Sequence, residues 1–267
     1  MALIDKLNAI GNAIRAKTGS TAQMTLDEMP VEIARIETGG SAGGSAGVNL
    51  DKYFEGGHEN VVLPTAKKVK DNAFNKDPVL SSVSLLEATS IGDSAFAECV
   101  NLKTVEIPKV TSLGEYCFCE CNNLESIELP KVTIIGIGAF AYCSNLESVV
   151  FSPNLQTIKE GAFAECEKLA ITEFPDSAFT IEEFAFYYCQ SIGSSLRFKG
   201  SVTLHGSAFD QCYGLETVTF EKLASLEDNC FADCRNLTTV NVPWAYGEVP
   251  GAPWGTNATI NYNYKGD

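Results

Sequence analysis

The chain has 267 residues, of which 45% are hydrophobic, and it carries a formal net charge of -15 at pH 7. The hydrophobic fraction is typical of a globular protein with a sizeable core, whereas the acidic balance argues against nucleic acid as a partner, because phosphates are bound by clustered lysine and arginine. We expect no membrane insertion, since the sequence lacks an apolar run of 18 residues, and its first residues do not have the pattern of a secretory signal.

Two short amphipathic helices are predicted within residues 1–38. Apolar residues recur at spacings of four, three and four from Leu3 to Ile14, which is the stripe of one helix. Thr25 and Glu28 match a capping box, and a second apolar stripe follows them. Neither helix can bury much apolar surface alone, so we expect this segment to be a module for attachment or oligomerisation.

This segment resembles the N-terminal module of tail-associated proteins encoded by phages and prophages of Gram-positive hosts. The resemblance rests on the pattern LxAIGxAIRxKTGxTxxMTLDEMPxEI. It implies that residues 1–38 mount the chain on phage tail or baseplate proteins, and that the protein is a homo-oligomer, expected to be a trimer. A generic helical hairpin is the alternative interpretation.

A flexible linker and a repeat domain with two caps are predicted to follow. Residues 39–50 contain the sequence GGSAGGSAG, whose composition is typical of a flexible coil. Residues 51–267 form the repeat domain. Its ends, 51–65 and 243–267, depart from the repeat and are expected to cover the first and last coils, because an uncovered coil would expose its apolar edge to water.

A repeat of 22 or 23 residues occupies most of this domain. Its most regular feature is one phenylalanine per repeat, at Phe74, Phe96, Phe118, Phe140, Phe163, Phe186, Phe209 and Phe231. Val, Ile or Leu stands five residues before each phenylalanine, Leu or Ile stands six residues after it, and Cys stands three residues after it in seven of the eight repeats. This period suits one coil of a solenoid, in which like residues stack to form a continuous core.

Within each coil we predict one strand, then a turn, then a compact stretch that contains the phenylalanine. The segment NLKTVEIP shows the pattern, because Val105 and Ile107 are apolar while Thr104 and Glu106 are polar. Pro108 ends the strand, since proline lacks the amide donor that strand pairing needs.

The motif Ile-Gly-x-x-Ala-Phe-x-x-Cys-x-x-Leu-x-x-Val-x-Ile-Pro resembles the BspA-type bacterial leucine-rich repeat over about residues 60–243. The resemblance implies an α/β fold class, namely a strand-rich right-handed leucine-rich-repeat solenoid of about eight coils preceded by the short α-helical segment. Proteins of this family serve as surface adhesins, phage virion parts and secreted proteins. The resemblance therefore implies binding or adhesion without identifying the ligand.

The ten cysteines are expected to be free, buried thiols. A repeating position in a solenoid places them in a straight row, whereas a tetrahedral zinc site needs four sulfur atoms around one point. Disulfides remain open, because neighbouring coils bring cysteines within bonding range. The cluster Cys117, Cys119 and Cys121 and the pair Cys230 and Cys234 are the candidate exceptions.

The outward positions of the predicted strands supply most candidate ligand-binding residues. Hydroxyl side chains recur at Thr104, Ser126 and Ser148, and they would align when the coils stack. Acidic residues run beside them, at Glu106, Glu125, Glu128, Glu147 and Glu173. Like charges one strand apart repel, so a cationic or polyhydroxylated partner or a divalent ion would offset the repulsion. A solvated sheet whose charges maintain solubility is the structural alternative.

Aromatic residues that break the repeat form a second candidate set. Tyr142 and Tyr188 stand two residues after the phenylalanines of their repeats, and Tyr116 and Tyr187 also depart from the pattern. A ring with a polar tip can stack on a sugar when it lies on a binding face, and it can equally pack between coils.

The sequence favours a non-enzymatic binding protein without a cofactor or a metal site. Its two histidines, His58 and His205, are expected to be exposed, and no phosphate loop, nucleophile elbow or metal-binding helix motif is present. We expect a phage tail or virion-associated receptor-binding component that recognises a bacterial cell-surface protein or glycan and is located in the virion. The alternative is a host-encoded adhesin at the cell surface, or an intracellular interaction scaffold, built on the same solenoid.

Overall fold

Hydrogen bonds between successive coils wind the repeats into a parallel β-solenoid of about nine turns. The structure, a computed structural model, describes residues 59–63, 65–248 and 251–265. Every regular element within these ranges is a strand, so the predicted strand-rich repeat solenoid is confirmed, with about nine turns where about eight coils were predicted, and the helical part of the predicted α/β class is not seen in these ranges. The predicted helical module 1–38, the linker 39–50 and most of the amino-terminal cap lie outside the described residues and stay predictions.

Most coils carry two short strands rather than the single strand predicted. The first strands are β1 (Asn60–Val62), β3 (Ser82–Ser84), β5 (Thr104–Glu106), β7 (Ser126–Glu128), β9 (Ser148–Val150), β11 (Glu173–Phe174), β13 (Ser195–Phe198), β15 (Thr217–Phe220), β17 (Thr239–Asn241) and β18 (Thr259–Asn261). The second strands are β2 (Lys68–Val69), β4 (Ser90–Ile91), β6 (Ser112–Leu113), β8 (Ile134–Ile135), β10 (Thr157–Ile158), β12 (Phe179–Ile181), β14 (Val202–Leu204) and β16 (Ser225–Leu226).

The two sets of strands lie on different sides of the solenoid. The second strands form one continuous eight-stranded parallel sheet, in which Ser90 pairs with Ser112 and Ile91 pairs with Leu113. Ile91 and Leu113 are the apolar residues five positions before a repeat phenylalanine, and both are buried. The first strands form parallel sheets of three, two and five strands. A strand of two residues shows no alternation along the sequence, so only pairing between coils identifies it.

The repeat phenylalanines form one column along the solenoid, called here the phenylalanine ladder. Ring centroids of successive members lie 5.0 to 5.7 Å apart, and six of the seven pairs are within 7° of parallel. The rings from Phe96 to Phe231 are fully buried. At about 25 cal/mol per Å² and 150–250 Å² per ring, each contributes on the order of 4–6 kcal/mol of gross hydrophobic stabilisation.

A second aromatic column, which the sequence analysis does not predict, strengthens the carboxyl-terminal half. Phe174 stacks on Phe198 at 5.0 Å, and Phe198 stacks on Phe220 at 4.9 Å. These residues occupy the inward position at the end of the first strand, where Ile107 and Leu129 stand in earlier coils. The column packs edge to face against the phenylalanine ladder, as Phe198 does against Phe209.

The prediction of buried thiols is confirmed for nine of the ten cysteines, and Cys119 is half-buried. All ten are free, so neither candidate exception forms a disulfide in this structure. In seven coils the thiol donates to the carbonyl oxygen of the ladder phenylalanine in the preceding coil, at 2.9 to 3.2 Å. The position therefore combines a small apolar volume with a weak hydrogen-bond donor.

Backbone hydrogen bonds also join the turns that surround each ladder phenylalanine. The amides of Ser94, Phe96 and Glu98 donate to carbonyl oxygens of the next coil at 2.7 to 2.8 Å. Ser94 and Glu98 have φ angles of 53° and 58°, and the residues two before and two after the ladder phenylalanine are left-handed in all eight repeats. We call the exposed side chains on these turns the turn face, and the outward side chains of the first strands the strand face.

Two tryptophans close the carboxyl-terminal end. Trp244 and Trp254 are buried, and the Trp254 carbonyl accepts a hydrogen bond from the Phe231 amide at 3.1 Å. Tyr246, which lies within the predicted cap 243–267, is 84% exposed. At the other end Val61 is buried beside the first coils.

Candidate functional site

The strand face brings the predicted hydroxyl residues into one row. Ser82 pairs with Thr104, and Ser126 pairs with Ser148, in the parallel register that the repeat length requires. Strands β5 and β7 are neighbours in space, which joins the two pairs. Thr104, Ser126 and Ser148 are all exposed, so their hydroxyl groups are available to a ligand.

Four of the five predicted carboxylates lie beside these hydroxyl groups in two rows. Glu125 and Glu147 precede strands β7 and β9, and the Glu147 amide donates to the Glu125 carbonyl oxygen at 2.8 Å. Glu106 and Glu128 stand at the carboxyl ends of β5 and β7. All four side chains are exposed. We call Glu106, Glu125, Glu128 and Glu147, together with Thr104, Ser126 and Ser148, the acidic strand site.

None of these carboxylates forms an ion pair within the described part of the chain, although exposed Lys103 stands before β5 at the position that Glu125 occupies before β7. Glu125, Glu128 and Glu147 have no ion pair there, and Glu106 accepts a hydrogen bond from the Ser84 hydroxyl at 2.6 Å. Successive coils therefore hold like charges about one strand spacing apart, an arrangement that costs a few tenths to about 1 kcal/mol per pair.

Glu173 does not belong to this group. Exposed Val150 separates it from Glu128 in the same row, and its carboxylate forms an ion pair with Lys199 at 2.8 Å. Arg197, which faces Glu173 in the register, pairs with Glu221 at 3.0 Å. Glu173 and Glu221 are thus each paired with a lysine or arginine of the carboxyl-terminal half, whereas exposed Glu216 there has no ion pair among the described residues.

The two predicted tyrosines lie on the turn face and not with the acidic strand site. Tyr142 and Tyr188 both stand at left-handed turn positions, with φ angles of 61° and 58°. Glu165 occupies the equivalent position in the coil between them, because the Tyr142 amide donates to the Ala164 carbonyl oxygen and the Glu165 amide to that of Tyr187. The Glu165 carboxylate is the largest influence that raises the pKa of Tyr142, since a nearby negative charge disfavours the phenolate.

Further aromatic residues surround Tyr188. Tyr187 lies 6.1 Å from Tyr188 between ring centroids, Tyr213 lies 5.9 Å from Tyr188, and Phe184 lies 6.1 Å from Tyr187. Sequence reasoning noted Tyr187 but missed Phe184 and Tyr213. The sequence does contain a signal for Phe184. It stands two residues before its ladder phenylalanine, where other repeats have a small or polar residue such as Asn72 or Ser94.

Other reactive side chains do not assemble into a site in the described residues. No group of three or more His, Cys, Asp or Glu residues there could hold a metal ion. His205 is half-buried rather than exposed and contacts the Glu227 carboxylate at 3.1 Å, while His58 lies outside the described residues. None of the elements in the described ranges is an apolar helix long enough to cross a bilayer.

Comparison with known proteins relates the chain to one repeat family. The model for the "BspA type Leucine rich repeat region" matches residues 67–193 and 133–250, with six copies. A leucine-rich repeat protein from Bacteroides ovatus is 21% identical, with a TM-score of 0.52, and the match covers 76% of this chain and 60% of that one. The T. pallidum leucine-rich repeat protein is 27% identical, with a TM-score of 0.53, and the match covers 58% of this chain and 77% of that one. No curated protein sequence matches the chain.

Proposed function

The chain belongs to the family of BspA-type leucine-rich repeat proteins, and from this premise we propose that it is a non-catalytic binding protein that recognises a bacterial surface ligand through the acidic strand site. The family supports binding or adhesion as the general role. The ligand class that fits the site is a protein or glycan that presents positive charge or many hydroxyl groups.

The observation that carries this proposal is that unpaired carboxylates stand in successive coils of the acidic strand site. Within the described ranges Glu125, Glu128 and Glu147 form no ion pair, whereas Glu173 is paired with Lys199 and Arg197 with Glu221. A solubility role would be served equally well by paired or dispersed charges. Unpaired carboxylates stacked in successive coils retain a repulsion that a bound cationic group or a hydroxyl-rich ligand would relieve.

A role in a phage tail is the finer part of the proposal. It is supported by the resemblance of residues 1–38 to the N-terminal module of tail-associated proteins, which would mount the solenoid on a tail or baseplate and place it in the virion. A trimer would present three identical strand faces, and linked sites raise the apparent affinity for a repetitive bacterial surface. The alternative is a host-encoded adhesin or an intracellular scaffold. Genes for tail proteins beside the coding sequence would favour the virion, and their absence would favour the host.

The binding proposal is tested by capture of host envelope fractions on the full-length chain. The triple substitution Glu125→Lys, Glu128→Lys and Glu147→Lys should weaken capture roughly tenfold or more, because charged rim contacts are lost and reversed. The matched control is Glu115→Lys, Glu160→Lys and Asp228→Lys, three exposed acids on the turn face that give the same change in net charge. Equal capture by the wild type and the strand-face variant would overturn the acidic strand site as the ligand site.

A further inference from the structure

The turn face carries a cluster of aromatic side chains in the coils between Tyr142 and Tyr213. We name Tyr142, Phe184, Tyr187, Tyr188, Gln211 and Tyr213 the aromatic patch. Most coils outside this stretch place small or polar residues at the same turn positions, for example Ala97 and Glu98 where Tyr187 and Tyr188 stand. Tyr116 is an exposed aromatic residue at the position of Phe184, but it lies outside the stretch. The stacking of the core does not require the rings, since the other coils fold with smaller side chains.

Several of these rings occupy a backbone conformation that bulky residues avoid. Tyr142, Phe184 and Tyr188 have φ angles of 61°, 55° and 58°. Left-handed backbone costs roughly 1–2 kcal/mol for a residue with a Cβ atom, and glycine fills the position of Phe184 in two other coils, at Gly138 and Gly161. Every coil is left-handed at these two positions, so what distinguishes these coils is the large aromatic side chain on that backbone, which points to a role in binding.

Exposure shows that the patch does not recover this cost by burial. The side chain of Tyr142 is 48% exposed and that of Phe184 is 40% exposed. Tyr187, Tyr188 and Tyr213 are half-buried against one another. Tyr142 and Phe184 therefore present much of their ring surface to solvent, and the half-buried tyrosines present part of theirs.

Hydrogen bonds and ring contacts fix the orientation of the patch. The Gln211 side-chain amide donates to the Tyr187 hydroxyl at 3.2 Å, and the Tyr213 hydroxyl donates to the Gln211 carbonyl oxygen at 2.9 Å. Tyr188 and Tyr213 meet edge to face, and the Arg235 guanidinium lies 5.3 Å from the Tyr213 ring centroid. Rings that are already ordered lose little conformational freedom when a ligand stacks on them.

We propose that the aromatic patch binds a neutral glycan, as a second ligand site that lies on the turn face and is separate from the acidic strand site. Sugar rings offer an apolar face to an aromatic ring and a rim of hydroxyl groups to amide and carboxylate partners. Tyr142 and Tyr188 are two coils apart, which is roughly 10 Å at the spacing of strands, and this distance suits two sugars of an extended chain that are separated by one intervening sugar. Glu165, which is half-buried, stands between the two tyrosines and supplies a carboxylate acceptor.

Charge selects among glycans. Glu165 lies between the tyrosines, Glu183 precedes Phe184, and Asp210 precedes Gln211. These carboxylates would repel an acidic polysaccharide at short range, so the patch suits a neutral one. The site does not rest on the acidic strand site, because no residue is shared between the two.

The test is affinity electrophoresis of the full-length chain in gels that contain laminarin, mannan or hydroxyethyl cellulose, together with titration of N-acetylchitohexaose. We expect retardation or binding with at least one of these neutral glycans. Each of the single variants Tyr188→Gly and Tyr213→Ala should lose affinity by about tenfold or more. Tyr188→Gly suits the left-handed backbone, so it removes the ring without straining the fold. Tyr188→Phe should keep most of the affinity, because the stacking face remains.

The matched control is Tyr246→Ala, which removes an exposed tyrosine outside the patch. It should leave glycan affinity unchanged. The triple lysine variant of the acidic strand site should also leave it unchanged, so the glycan proposal and the proposed function of the acidic strand site can fail independently. Binding to none of the four glycans would overturn the proposal. A second contrary result is that the protein binds poly-L-lysine but no glycan, and that Tyr188→Gly abolishes this binding. That result would overturn the proposal and would assign the patch to cationic partners.

Discussion

The Sγ atom of Cys143 lies 3.1 Å from the carbonyl oxygen of Phe118, one coil earlier. The backbone amide of Cys121, which lies in the same coil as Phe118, also donates to the Phe118 carbonyl oxygen, at 3.2 Å. The thiol thus fills a small apolar space and supplies the second donor to a buried carbonyl. The first repeat has Asp77 at this position, where no ladder phenylalanine precedes it, and the Asp77 carboxylate instead accepts bonds from the Val79 and Leu80 amides.

Thiol accessibility is the most direct check of this arrangement. Burial raises the pKa of Cys99 to about 12 and that of Cys119 to about 11, so little thiolate is present near neutral pH. In the native protein at pH 8, we expect slow labelling by a thiol reagent, led by half-buried Cys119, and rapid labelling of all ten cysteines in guanidinium. Rapid native labelling of most thiols would contradict the stacked core, and Cys119→Ala is the control that should remove the first reacting group.

Alkaline pH should destabilise the fold through these thiols. The pKa of Cys99 is raised by burial from its ordinary value of 9.0 to about 12, so the unfolded chain loses the proton first. The stabilisation is complete below pH 9 and is lost as the pH rises towards 12, by about 1.4 kcal/mol per pH unit for one thiol.

Urea unfolding at pH 8, 9 and 10 measures this effect. The free energy of unfolding of Cys99→Ala should fall less steeply between pH 9 and 10 than that of the wild type. The difference between the two slopes isolates Cys99 from the lysines and tyrosines that titrate in the same range. Identical slopes would show that the Cys99 thiol is not perturbed by the fold.

Removal of one ladder ring should be costly. Phe163 stacks between Phe140 and Phe186 at 5.1 and 5.2 Å and is fully buried. Phe163→Ala should lower the free energy of unfolding by about 3–5 kcal/mol, because it leaves a cavity in the column. The matched control is Phe184→Ala, which makes the same change at a side chain that is 40% exposed and should cost less than about 1 kcal/mol. Chemical denaturation measures both, and equal losses would contradict the ladder.

Two glycines allow a cleaner comparison. Gly138 and Gly161 occupy the same turn position with φ angles of 57° and 59°. A Cβ atom at Gly138 would lie 2.4 Å from a Tyr116 ring carbon, whereas one at Gly161 would meet nothing closer than 3.9 Å. Both alanine substitutions should cost roughly 1 kcal/mol for the left-handed backbone, and Gly138→Ala should cost more because the ring must move.

A double-mutant cycle separates the two contributions. Tyr116→Ala combined with Gly138→Ala should remove the excess cost and leave the backbone cost that Gly161→Ala also shows. Thermal unfolding of the four variants and the wild type is the measurement. An excess that survives in the double variant would place its origin elsewhere than in the Tyr116 ring.

The amino-acid sequence by itself determined the features that repeat. The spacing of the phenylalanines predicts the coil length and the ladder, the NLKTVEIP segment predicts strand β5, and the position of the cysteines predicts buried thiols. Each of these follows from one coil, because a stacked repeat must place its apolar residues where the next copy can cover them.

Only the tertiary structure decided the features that depend on contacts between coils. The second strands exist through pairing across 22 or 23 residues, the neutralisation of Glu173 by Lys199 depends on how the longer coils align, and Tyr188 meets Tyr213 only when their coils stack. A periodic sequence specifies which side chains point outward, but which of them meet is set by the register between neighbouring coils. Position within the coil separates the two tyrosines from the acidic strand site, because the turn and the first strand of a coil face different sides of the solenoid.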